Sequence, residues 1–383
     1  MTTSSDSRYS AATIFFTLST AFLVTYVLWI GASILIPIVL AGLVWFALVS
    51  VARLLQSAGP DFVGKALLTH IFSWVILVLV TWLVTNTVSN TFLEFSAQIP
   101  DYETQLGALA SGFATWVGAQ VVRINSILSG DSSTNMADIE NYARQFEAVV
   151  ISSIETLRVR LLPEAAGSLL SATQGTITLV TTVIIYLIFF YSESSSFPRK
   201  LAALNREQAD HERWSSLIGL IVSRLSSYIR IKTFTSALTG VLGYVVMSIL
   251  DVNFALLFAL LLFLLNYIPV VGSLISSVLP IILFLVDPDF TVTKWLILIG
   301  GLLTIQQGIG SVLEPRLLSN SFNISSILVM ASLLFWGSIW GIFGMLISAP
   351  IMASLVILLA NFQGSRQLAI LLSADGNIDN LRA

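Results

Sequence analysis

The chain has 383 residues, of which 56% are hydrophobic and only 10% charged, and its net charge is −3. A soluble domain carries about 25% charged residues, so a water-soluble core is excluded, and the slight acidity excludes the basic face that nucleic acid demands. With no cysteine, and with His70 and His211 as the only histidines, disulfides and thiolate metal sites are ruled out and little is left for metal or triad chemistry.

Residues 1–10 hold one base, Arg8, ahead of a run without any charge from 9 to 52. That run is far longer than the core of a cleaved leader. It reads as two helices, 11–30 and 32–52, forming a tight pair with Gly31 at the turn. Arg53 and Lys65 flank a short loop, and a third apolar helix follows, so that 11–93 is a membrane segment of three helices. Residues 94–164 are polar. Within them Ile139, Tyr142, Phe146, Val150, Ile154, Leu157 and Leu161 recur at spacings of three and four, one apolar helical face of an extracytoplasmic helical insert.

A fourth membrane helix is predicted over 165–192. The next segment, 193–232, carries Arg199, Lys200, Arg206, Arg213, Arg224, Arg230 and Lys232, and basic loops of this length stay in the cytoplasm. Its stripe of Trp214, Ile218, Ile221, Leu225 and Tyr228 predicts an interfacial helix on the lipid surface. Fixing this segment inside places the N-terminal tail, 1–10, inside and the insert outside.

The remaining apolar sequence, 233–365, is unlike ordinary spans. The windows 233–250, 252–286, 295–313 and 317–365 have no charge. About 35 residues of helix would extend roughly 52 Å, against a hydrocarbon core of roughly 30 Å. The stretch 252–286 is too long for one crossing and too short for two with a turn. It is interrupted by Asn266-Tyr267-Ile268-Pro269-Val270-Val271-Gly272-Ser273, which leaves apolar arms able to reach mid-membrane and return. Non-helical backbone at that depth persists only inside protein or beside a water-filled cavity. A second break, around Trp336 to Gly344, divides 317–365, although that window is also long enough for two full crossings.

The predicted fold is therefore all-α and polytopic. It has about eight membrane helical segments, including two re-entrant hairpins in an inverted repeat, and a cytoplasmic tail at 366–383. Broken helices in corresponding positions point to a transporter's solute site. Pro280 and Pro350, each in the returning arm of a hairpin, are the clearest internal sign of the repeat.

Inside this core no acid or base occurs between Asp289 and Glu314 except Lys294. The polar groups are Asn266, Tyr267, Ser273, Ser276, Ser277, Gln306, Gln307, Ser311, Asn320 and Asn323. Amides and hydroxyls suit a small, neutral or weakly anionic, hydroxyl-rich solute. Asn266 and Tyr267 either cap the hairpin tip beside Pro269 or touch solute. Gln306 and Gln307 either bond between helices or line the site. Glu314, with Pro315 and Arg316, is a helix-end ion pair or a gate. Gly272, Gly337, Gly341 and Gly344 permit close packing, and Trp336 and Trp340 are interfacial anchors or a cavity wall. No phosphate-binding loop, metal-ligand cluster or nucleophile constellation is present, so neither enzyme nor cofactor is expected.

These residues resemble a known family. Leu265-Asn266-Tyr267-Ile268-Pro269 with Gly272 and Pro280, and Leu313-Glu314-Pro315-Arg316-Leu317, match the autoinducer-2 exporter family of bacterial permeases. So do Leu334-Phe335-Trp336-Gly337, Gly341, Gly344-Met345-Leu346 and Ser348-Ala349-Pro350. The resemblance implies a homo-oligomer, a pentamer, in the bacterial cytoplasmic membrane, exporting the quorum-sensing signal autoinducer-2 by an elevator-like movement; other relatives are sodium/proton antiporters. The chain departs from the family after Leu317, where Leu318-Ser319-Asn320-Ser321-Phe322-Asn323 replaces a Gly-rich turn. Antiport of sodium or lithium against protons would rest on Asp251, Asp287 and Glu314. A non-transporting scaffold or sensor would use the external insert instead.

Overall fold

In the computed structural model the described residues are 11–57, 162–194, 208–285, 287, 289–318 and 323–382, with 196, 199, 200 and isolated positions between 75 and 152. The described residues form helices and connecting turns, with no strand among them. The helices are α1 (Ala11–Ile30), α2 (Ala32–Ser57), α3 (Leu162–Ser194), α4 (Gln208–Ile249), α5 (Ala255–Leu265) and α6 (Val271–Phe284). They are followed by α7 (Val292–Gln306), a π-helix (Gln307–Leu313), α8 (Glu314–Leu318), α9 (Ser326–Asn361) and α10 (Arg366–Leu372).

The outer surface is apolar: Phe22 and Ile249 are about three-quarters exposed, at 74% and 73%. Val292–Leu318 and Ser326–Asn361 are long and apolar enough to cross a membrane. Continuous apolar exposure on this scale needs hydrocarbon as its solvent. The chain is an integral, helical membrane protein.

Gly31 joins α1 to α2 as a bend of 83° between Leu18–Ile30 and Ala32–Leu48, so the two helices do not lie side by side as a tight pair. The Gly31 amide donates to the Val27 carbonyl at 2.8 Å, and a Cβ at Gly31 would stand 2.9 Å from that same oxygen. α2 packs on α3 through Ala41, Val183 and Leu187.

The expected interfacial helix and the span after it are one helix, α4, of 42 residues. Its stripe is not laid against lipid throughout. Leu217 is buried with Val356, Ile357 and Ala360 of α9 and with Ala369, Ile378 and Leu381, while Leu225, Tyr228 and Ile229 are also buried. An amphipathic stripe serves a lipid surface or a protein neighbour equally well, and here the neighbour is the folded C-terminal segment.

A second core joins α4 to α7: Met247, Phe258, Leu262, Phe284, Leu298 and Leu302 are all buried together. Trp295 fixes α7 to α6 by donating its indole N–H to the Ile281 carbonyl at 3.0 Å. Two glycines on α4 allow α5 to approach. A Cβ on Gly243 would lie 2.3 Å from Leu262 Cδ1, and one on Gly240 2.9 Å from the Ala259 carbonyl.

Candidate functional site

The site begins with a polar stripe on α4. Tyr228, Lys232, Thr235, Ser236 and Thr239 recur at helical spacing and all five are buried. Buried polar groups must be paired; Thr239 bonds back to the Thr235 carbonyl within α4 at 2.8 Å, whereas Lys232, Thr235 and Ser236 reach across to other elements. Lys232 Nζ lies 2.6 Å from Glu314 Oε1, with side chains 6% and 16% exposed. Thr235 donates to Glu314 Oε2 at 3.3 Å. Ser236 accepts from the Asn266 amide at 3.0 Å, and the Tyr267 hydroxyl donates to Thr233 at 2.7 Å.

The first hairpin turns at Asn266–Val270, between α5 and α6. Val270 has φ 60° and ψ −59°, and the Val271 amide donates to the Pro269 carbonyl at 2.6 Å. That i→i+2 bond makes Val270 the centre of a γ-turn of the strained hand. A β-branched residue at positive φ is a genuine outlier, and such strain of order 1–3 kcal/mol clusters at functional sites. Val270 is also 65% exposed and sits on the cavity wall. Two residues on, a Cβ at Gly272 would fall 1.8 Å from the Leu265 carbonyl oxygen, so the returning arm passes the outgoing arm at glycine-only distance.

The second hairpin is hidden within α9. Ser326–Asn361 is long enough to be a single span, yet Gly341 has φ 60° and ψ −140° inside it. Ser332 Oγ donates to the Ser348 carbonyl at 3.1 Å, whereas sixteen residues of continuous helix would separate them by about 24 Å. The two halves therefore double back on each other. A Cβ at Gly344 would fall 1.9 Å from the Trp336 carbonyl oxygen, the counterpart of Gly272 against Leu265.

Between the hairpins, Gln307–Leu313 winds as a π-helix. This rare i→i+5 turn occurs mostly as short bulges at functional sites. It contains Gly308 and Gly310, presents Gln307, Gly310 and Ser311 to the cavity, and delivers Glu314 to Lys232. The Gln306 amide donates to Ser277 of α6 at 2.9 Å, tying the bulge to the first hairpin.

These elements enclose a cavity of about 520 Å³. Its polar wall is Tyr228, Lys232, Asn266, Ser273, Gln306, Gln307, Ser311 and Glu314; its apolar wall includes Ile268, Pro269, Val270, Leu318, Ile324, Val329 and Ala349. The size is within the range of small-molecule sites. A paired base and acid among amides and hydroxyls can hold a small solute by hydrogen bonds from both donors and acceptors. Among the described residues no cluster of His, Asp or Glu could hold a metal ion.

Of the residues singled out in the sequence, Asn266, Pro269, Gln306, Gln307 and Glu314 meet on this wall. Tyr267 stands behind it on Thr233, and Gly272 and Pro280 are buried within the hairpin. Glu314 is held by Lys232, not by Arg316, since residues two apart on a helix do not face each other; Pro315 and Arg316 are exposed on α8. Trp336 is outside the lining and packs on Trp340 with ring centroids 5.1 Å apart. Gly341 and Gly344 shape the second hairpin, and Pro350 follows Ala349 of the wall. Asn323 does not approach the cavity; it bonds Asp375 and the Asn377 carbonyl of the C-terminal segment. Asn320, like most of the external insert, lies outside the described residues.

Lys232 and Tyr228 are the functional candidates that sequence reading passed over. Polar residues at 228, 232, 235, 236 and 239 trace one face of α4, but Ser227, Arg230 and Thr233 on other faces blur the pattern.

Comparison with known proteins places the chain among transport proteins. The chain is 29% identical over 324 residues to the Escherichia coli "Putative transport protein YhhT", covering 82% of this chain and 89% of that one. It is 25% identical over 361 residues to a Haemophilus influenzae "Putative transport protein", covering 92% and 93%. It is 30% identical over 225 residues to the Escherichia coli "AI-2 transport protein TqsA", covering 58% and 64%. The family model for AI-2E family transporters matches residues 18–364. The chain belongs to the AI-2E family of transporters, which are transport proteins and not enzymes.

Proposed function

We propose that the chain is a secondary transporter that exports a small polar solute, autoinducer-2 first among candidates, by alternating access of an elevator type. The observation that carries this reading is the cavity of about 520 Å³ bounded by a strained hairpin tip, a π-helix and the buried Lys232–Glu314 pair. In this proposal Asn266, Gln306, Gln307, Lys232 and Glu314 hold the solute. Pro269, Gly272, Pro280, Gly341, Gly344 and Pro350 shape the hairpins. The matched glycine contacts at Gly272 and Gly344 support an inverted repeat within 233–365. The proposed setting is the bacterial cytoplasmic membrane, with about eight membrane segments, both termini inside, 94–164 outside and a homo-pentameric assembly.

The test is autoinducer-2 retention in cells with and without the chain. A lowered internal level with the chain supports export, and equal internal and external levels in both strains reject this solute. A second reading, antiport of sodium or lithium against protons, is favoured by one observation: Glu314 is a carboxylate inside the cavity. Dequenching of a pH dye in inverted vesicles on adding sodium or lithium would support it, and no response would remove it.

A further inference from the structure

A second polar cavity, of about 540 Å³, lies at the C-terminal end of α4, whereas the first meets α4 near its middle, at Tyr228 and Lys232. One wall is the helical stretch 85–91 with Glu94, where Asn86, Thr87, Asn90, Thr91 and Glu94 fall on one face at spacings of one and three to four. The other wall is Tyr244, Ser248 and Asp251 of the α4 end with the start of α5. Ser248 is sixteen residues from Lys232, about 24 Å along a straight helix, a distance close to the hydrocarbon thickness of roughly 30 Å. The two cavities therefore stand most of a hydrocarbon thickness apart along α4. Between them α4 and α5 are in tight contact at Gly240 and Gly243, sealed by Leu262, which is 1% exposed.

We propose that this second cavity is a solute vestibule on the membrane face opposite the Lys232–Glu314 cavity, and that it admits cations and neutral hydroxyl-rich solutes while rejecting anions. Its role as a vestibule rests on the transport reading above; its charge preference stands separately. Glu94 and Asp251 line it, and Asp287 and Asp289 stand in the adjoining turn. Among the described residues the facing base is Lys294, 3.5 Å from Asp251, with Asp251 75% exposed. A pair so exposed neutralises little. Asp287 is 2% exposed and accepts from the Asn253 side-chain amide at 2.9 Å and the Asp289 amide at 2.9 Å, so it holds the turn behind the rim. The rim itself is shaped by two non-glycine residues at positive φ, Asp251 at 56° and Phe254 at 61°. A reversal of backbone direction at that point opens the space between the end of α4 and the start of α5.

The absence of native cysteine makes single-cysteine chemistry directly readable. Asn90, an exposed wall residue, is changed to Cys in the full chain, and Ser311→Cys reports on the first cavity. Membrane-impermeant methanethiosulfonates, one cationic and one anionic, are applied to right-side-out and inverted vesicles. The expected result is that N90C and S311C react from opposite sides. N90C should also react at least about tenfold faster with the cationic reagent, the lower end of what a cleft of one charge sign gives. That preference should collapse toward unity in N90C/E94Q/D251N, in which Asn at 251 still tolerates the left-handed backbone. Equal rates for the two reagents in N90C would overturn the charge preference, and reaction of both cysteines from one side would overturn the opposite-face assignment. Opposite-side labelling with the expected bias, in a protein that moves neither autoinducer-2 nor sodium, would reject both proposed solutes while upholding the site.

Discussion

Removing either member of the Lys232–Glu314 pair leaves a buried charge without its partner, which costs about 3–5 kcal/mol. Lys232→Met and Glu314→Gln are therefore each expected to lower thermal stability in detergent. The double variant should regain most of that loss while transport stays absent, and a double-mutant cycle on melting temperature and on vesicle flux measures both. Gly272 is constrained by space, not by φ. Gly272→Ala places a methyl 1.8 Å from the Leu265 carbonyl and should cost about 3 kcal/mol or more. Gly300→Ala, in open space on α7, should instead stabilise by about 0.5–1 kcal/mol; monodispersity after heating separates the two. Asn266, Gln306 and Gln307 were legible because an amide in an apolar helix stands out against its neighbours. Lys232 was not, because it adjoins a basic run and a charge count assigns it to the run. Only the partner 82 positions away shows that it points inward.

Broken helices were legible as elements because Pro, Gly and Asn interrupt a run whose length fits no ordinary crossing. The π-helix was not, since i→i+5 pairing is decided by what flanking segments must reach. Gly308 and Gly310 lower the cost of the wider turn, but the fixed positions of Ser277 and Lys232 demand it. A π-turn holds one residue more than an α-turn, so deleting Gly308 should heal it to α-helix and leave Glu314 close to its present direction. The expected outcome is unchanged helix content by circular dichroism, equal or higher melting temperature, and loss of flux. If flux persists, the bulge has no part in solute handling. The bend at Gly31 teaches the same lesson. Glycine marked the interruption, and the contact of Trp340 Nε1 with the Leu28 carbonyl at 2.8 Å accompanies an 83° angle that no local pattern could supply.

At the scale of the whole molecule the C-terminal segment is folded back onto the core. Ser325 donates its amide to the Leu372 carbonyl at 3.0 Å, and Asn361 bonds the Leu381 carbonyl at 2.8 Å. The Asn323 side-chain amide, and then the Asn377 backbone amide, hold the exposed Asp375 carboxyl below its ordinary range. A depressed folded pKa gives a contribution that is present above the unfolded value, about 3.9, and is lost as pH falls through the folded one. Tail docking should thus be flat from pH 5 to 8 and weaken in stronger acid. Hydrogen exchange over 373–382 at pH 7 and pH 3 checks this, and Asp375→Asn should remove the dependence. The sequence by itself determined the solvent, the helical class and the two interruptions. Length and hydropathy set these through the bilayer's thickness and its lack of hydrogen-bonding partners. Tertiary structure alone decided which polar residues face one another. Burial drives polar groups to find partners, and for Lys232, Asn266 and Glu314 those partners come from segments far apart in the chain.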